Sequence, residues 1–121
     1  MLNAGLRVKA LAHITSTGFL NLTRAAAPVG YVFDRLPEPS PIFQLIQRHG
    51  AIGDEEMYFT YNMGIGFCVI VAPGDSDTAL EIARRHNARA HTIGFTVHDP
   101  EKQVRIPSAK LLGRDGKFYV Q

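Results

Sequence analysis

A chain of 121 residues is long enough for one domain and too short for two, and with 45% apolar residues it can build a core and is not expected to be disordered. Its 13 basic and 11 acidic residues nearly cancel to a formal charge of +2, with no basic run of five or more, so the charge pattern does not point to a nucleic-acid partner. A single phosphate group held by backbone amides would leave no trace in such a count.

In chain order, Met1 to Gly5 reads as a weak lead-in and Val8 to Ile14 as a short apolar element whose period does not separate strand from helix. Gly18 to Ala26 places Phe19, Leu22 and Ala26 at helical spacing, ahead of Pro28. Val29 to Phe33 reads as a strand. Three prolines stiffen Leu36–Pro41, and Ser40 as cap with Pro41 in the first turn opens a helix. Ile42, Leu45, Ile46 and His49 share one face of that helix, and Gly50 can end it. A second helix is expected from an Asp54 cap to about Tyr61, with Glu55 and Glu56 suiting its positive end as a solvated start.

Gly64 to Ala72 does not alternate and reads as a strand buried on both faces. After the Pro73-Gly74-Asp75 turn, Asp75 to Asn87 reads as a helix with acids at its start and Arg84, Arg85 and His86 near its end. Thr92 to His98 and Gln103 to Ile106 read as strands. Gly113-Arg114-Asp115-Gly116 reads as a hairpin loop between Leu111-Leu112 and Phe118-Tyr119-Val120. Strands and helices mix too closely for βαβ winding, so the expected class is α+β, a mixed, largely antiparallel sheet with packed helices over residues 1–121.

The lone cysteine, Cys68, excludes an internal disulfide and a cysteine-rich metal site, and reads as a small core residue with a reactive thiol as the alternative. No charged-then-apolar leader opens the sequence, and no apolar run nears the roughly 20 residues that span a bilayer. The expectation is a soluble cytoplasmic protein without a membrane partner.

None of the five histidines has a metal-binding spacing, so no metal site is expected. His49 and His86 fall near helix ends, and His91 and His98 flank a strand. His13 differs, because it adjoins Thr15-Ser16-Thr17-Gly18. It reads equally as a hydrogen-bonded structural histidine and as a ligand-facing donor or base. The hydroxyls that follow suit an anion at a helix start, although ordinary capping explains them and is the preferred reading on the residues alone. Asn62-Met63-Gly64-Ile65-Gly66 has two glycines and precedes a strand, which rejects a dinucleotide fingerprint. There is no phosphate-binding P-loop pattern and no Gly-x-Ser-x-Gly.

Five segments then stand in a telling order: His13-Ile14-Thr15 through Gly18-Phe19-Leu20-Asn21, Gly30-Tyr31-Val32-Phe33-Asp34, Pro41-Ile42-Phe43, Glu55-Glu56-Met57-Tyr58, and Asn62-Met63-Gly64-Ile65-Gly66. Together they resemble the C-terminal domain of the phosphoribosylformylglycinamidine cyclo-ligase (aminoimidazole ribonucleotide synthetase) family, over most of the chain and less closely after about Asp99. The resemblance implies a partly ferredoxin-like fold and a role in purine biosynthesis. In that reaction the formyl amide oxygen of formylglycinamidine ribonucleotide is phosphorylated at the expense of ATP. An amidine nitrogen then closes the imidazole ring and phosphate leaves.

The resemblance further implies substrate-binding roles for His13, Thr15, Gly18, Asn62, Gly64 and Gly66, with Asp34 at the end of its strand. ATP and Mg2+ would be bound mainly by an N-terminal domain not expected within this sequence. That domain, as a separate chain, and a phosphorylated ribonucleotide would be the partners, in a homo-oligomer such as a homodimer. Two departures stand out. Ser16-Thr17 replaces a glycine-rich run, and Phe59 replaces a common arginine. The alternatives are a non-catalytic binding or regulatory module, or part of another ATP-dependent enzyme of the same superfamily. The expected site requires residues 13–18 and 62–66 to meet as one shallow, amide-lined half-pocket.

Overall fold

The structure, a computed structural model, describes residues 5–121; the lead-in residues 1–4 lie outside the described residues. It is a mixed α+β arrangement with two sheets. The ambiguous first element is a strand, β1 (Val8–His13), and it pairs antiparallel with β3 (Phe67–Val71) in a two-stranded ribbon. The second sheet has the order β4-β2-β5-β6-β7, from β2 (Val29–Val32), β4 (Phe95–His98), β5 (Val104–Ile106), β6 (Leu111–Arg114) and β7 (Lys117–Val120). All its pairs are antiparallel except β2 with β5. The β6–β7 strands are joined by Asp115-Gly116, both at positive φ (50° and 74°), so the loop is tighter than the four-residue one expected.

Among the described residues three α-helices complete the fold: α1 (Pro41–Gly50), α2 (Asp54–Thr60) and α3 (Ser76–Arg85). Pro41 occupies the first turn of α1 as expected, but Ser40 makes no side-chain cap. Gly53 rather than Asp54 is the cap of α2. Asp54 already lies inside the helix, and its carboxylate accepts a hydrogen bond from Gln47 Nε2 at 2.8 Å. Gly18–Arg24 is a 3-10 helix, not an α-helix. The side chains that suggested a helix stand three or four apart, a spacing that tighter winding shares in part.

The core joins one face of the five-stranded sheet to the 3-10 helix, α2 and the ribbon. Val104 and Ile106 on β5 are fully buried, with Ile14, Phe19 and Leu111 at 1% exposure. Phe19 stacks on Phe33 with ring centroids 4.3 Å apart, tying the 3-10 helix to the end of β2. One expectation fails clearly. The run from Gly64 to Ala72 is not a strand buried on both faces. Only Phe67–Val71 is a strand, and Phe67 is 56% exposed, because a two-stranded ribbon has one face on the core and the other open.

Candidate functional site

The two segments on which the expected site depends do meet. Register pairs His13 with Phe67, and the Ile14 amide donates to the Gly66 carbonyl at 2.9 Å. The chain then turns through Thr15, whose carbonyl accepts from the Gly18 amide at 3.0 Å. Gly18 sits at φ +56° directly against the end of α2: a Cβ there would lie 1.9 Å from the Tyr58 carbonyl oxygen and 3.4 Å from that of Tyr61. This glycine is needed for close packing between backbones. Beyond Tyr61, the Asn62 side chain accepts from the Gly64 amide at 2.9 Å, and its carbonyl accepts from Ile65 at 3.1 Å. That shapes the turn leading into Gly66 and β3.

The rim differs from an amide-lined half-pocket. The Ile14, Gly18, Gly64 and Ile65 amides are engaged within the protein. What faces outward is the side chains of His13 and Thr15, both exposed, and the open backbone of Gly66, where a Cβ would meet nothing within 4 Å. Gly64, also exposed, has only the Phe43 ring at 3.9 Å from such a Cβ. Beside the rim runs a tight apolar crease, walled by Phe19, Tyr58, Met63 and Ile65 together with Leu36 and the loop prolines, with no room for a water molecule. Asp34 follows Phe33 at the end of β2, exposed, and its carboxylate pairs with the Arg35 Nε at 3.5 Å. Among the described residues no hydrogen bond or ion pair joins it to the rim.

The hydroxyls at 15–17 do not cap a helix. Thr17 is the cap residue of the 3-10 helix at φ 73°, without a side-chain bond. A β-branched residue in the left-handed region is strained, and it stands where the resemblance expects glycine. Asn21 holds this turn instead. Its Nδ2 donates to the Ser16 carbonyl at 2.9 Å and to the Gly18 carbonyl at 2.8 Å, while its buried Oδ1 has no partner. In the sequence Asn21 stands only as part of a motif. The signal was available, as one polar residue inside the apolar run Phe19–Leu22, because a buried amide must find partners.

Burial pushes the Cys68 thiol up from 9.0 to about 11, so at neutral pH it is a protonated core group and not a nucleophile. Among the described residues no three or more His, Cys, Asp or Glu side chains stand close enough to hold a metal ion. None of the helices over these residues is long and apolar enough to cross a membrane. A wide cleft of about 470 Å³ lies elsewhere, along α3 and residues 88–91, and shares no residue with the rim.

Residues 2–107 match the family model described as AIR synthase related protein, C-terminal domain. The chain is 50% identical over 109 residues to the phosphoribosylformylglycinamidine cyclo-ligase of Methanocaldococcus jannaschii, covering 90% of this chain and 30% of that protein. It is 48% identical over 106 residues to that of Methanothermobacter thermautotrophicus (88% of this chain, 30% of the relative). It is 38% identical over 102 residues to that of Staphylococcus aureus (82% and 30%). The chain thus spans about 30% of the length of these relatives. With the match covering all three described α-helices and five of the seven described strands, the chain belongs to the AIR synthase related protein C-terminal domain family.

Proposed function

We propose that this chain is the substrate-side domain of a phosphoribosylformylglycinamidine cyclo-ligase, acting in purine biosynthesis once a further ATP-binding segment completes its site. The observation that carries the reading is 50% identity over 90% of the chain to a protein bearing that name. The rim supports it: His13 and Thr15 offer exposed donors beside the open backbone of Gly64 and Gly66, in a turn shaped by Asn62. Such donors hold and orient a phosphorylated ribonucleotide while its formyl oxygen leaves as phosphate and the amidine nitrogen closes the ring. Gly18 packs the turn of the rim against the end of α2, while Asp34, exposed after β2, is the outlying candidate for a further polar contact.

In this reading ATP and Mg2+ are bound mainly by the completing segment. Half a cleft has little with which to stabilise phosphoryl transfer, so the chain alone is inactive. A cytoplasmic setting and a homo-oligomeric enzyme accompany the proposal.

The test mixes this chain with the part of the M. jannaschii relative outside the 109 matched residues and follows ATP-dependent ring closure. Activity is expected only in the mixture, with His13→Ala and Thr15→Val each lowering kcat/KM by about 10². Silence at saturating substrate and magnesium rejects the reading. The strained Thr17 and the apolar Phe59 favour a second reading, a binding or regulatory module that has lost catalysis. In that case a mixed complex forms and binds the ribonucleotide without turning it over.

A further inference from the structure

The two faces of the β1–β3 ribbon are unlike. Cys68 is buried on the inner face, and Ala12 and Ile70 pack against the core beside it. Register sets Leu11 opposite Val69 and His13 opposite Phe67, and strand alternation puts all four on the outer face. There Leu11 is 55% and Phe67 56% exposed. Neighbouring large apolar side chains in water mark a surface that something else covers, and a two-stranded sheet is marginal without further support.

We propose that this outer ribbon face is the docking surface for the polypeptide that the longer relatives possess and this chain does not span. The inference rests on the proposed function and says where the completing segment sits. Two observations select that occupant. The chain accounts for about 30% of its relatives' length, so most of such a protein lies outside it and must meet it somewhere. And His13, a rim residue, stands on the same face as Leu11 and Phe67. A segment that completes the rim reaches this apolar face first.

The experiment titrates this chain with the part of the M. jannaschii relative outside the matched residues, reading the complex by sedimentation and calorimetry. A one-to-one complex is expected. Leu11→Asp and Phe67→Asp should each weaken it tenfold or more, whereas Val97→Asp, exposed on the distant edge strand β4, should change it less than twofold. Leu11→Gln and Phe67→Gln, checked for an unchanged unfolding midpoint, repeat the test without a buried-charge effect, and are expected to weaken binding at least threefold. The proposal is overturned if no complex forms, if the ribbon variants bind as tightly as the parent, or if the chain instead pairs with its own copy through this face. A complex that depends on Leu11 and Phe67 yet closes no ring defeats the catalytic reading and leaves the docking surface standing. Ring closure in a mixture indifferent to both residues does the reverse.

Discussion

Helices α1 and α2 follow one another in the chain and behave in opposite ways. α1 has ten residues, a proline in its first turn and Ile42, Leu45 and Ile46 on one side, yet none of its residues is buried. α2 has only seven residues, but Met57 is wholly buried and Tyr58 is 8% exposed where the helix packs on the 3-10 helix and β7. α1 is held at its margins, by an edge contact of Phe43 with Tyr61 at 6.3 Å and by the Gln47–Asp54 hydrogen bond. An amphipathic pattern therefore specifies that a helix forms, and says nothing about whether this chain supplies the layer that covers it.

The largest effect expected from this contrast is at Gly18. Gly18→Ala drives a methyl group into the Tyr58 carbonyl in a left-handed conformation, and should cost about 3 kcal/mol or more in urea unfolding. Met57→Ala comes next, at about 3 kcal/mol with the urea slope unchanged, since the helix has no slack in which to close the cavity. A loss under about 1 kcal/mol in either variant would break the contrast.

Alkaline titration sharpens it further. Burial first, and the Asp54 carboxylate second, hold the Tyr58 hydroxyl above its ordinary 10.0. The unfolded chain therefore loses this proton at lower pH than the folded one. The stability that Tyr58 contributes is intact below about pH 10 and is lost as pH rises through the folded value. Tyr58→Phe should make the fall in stability between about pH 9 and 12 shallower, leaving the shares that buried Cys68 and Tyr31 contribute in the same direction. The smallest effect belongs to α1: Ile42→Ala and Leu45→Ala, at 52% and 46% exposure, should each stay within about 0.5 kcal/mol of the parent by thermal unfolding. A loss of about 2 kcal/mol would mean the helix is covered after all.

What could be read from the residues follows the reach of the physics involved. Pro41 with the apolar spacing behind it announced α1 because both signals are local. The nonalternating run at Phe67–Val71 announced a strand, but not how many layers would flank it, and the outer face proved open. Every residue of β4 is exposed, so its pattern carries no burial signal, and the strand begins at Phe95 and not at Thr92. For the site, the meeting of residues 13–18 with 62–66 is suggested by their shared character, polar donors beside glycine, and by the resemblance, since spacing cannot report a contact between distant strands. Gly18 looked like a ligand-facing glycine because its true neighbour, the Tyr58 carbonyl, lies far along the chain. Amide engagement around the rim was invisible for the same reason.

The position of β2 has a consequence for how the molecule is made. This early strand pairs on one side with β4 and on the other with β5, which begins only at Val104. While these residues emerge from the ribosome, β2 keeps both hydrogen-bonding edges bare until Phe95 and then Val104 have followed it out. Such long-range pairing is slow, and an unpaired strand invites strangers. A nascent chain stalled before Phe95 should need chaperone protection that the finished chain does not.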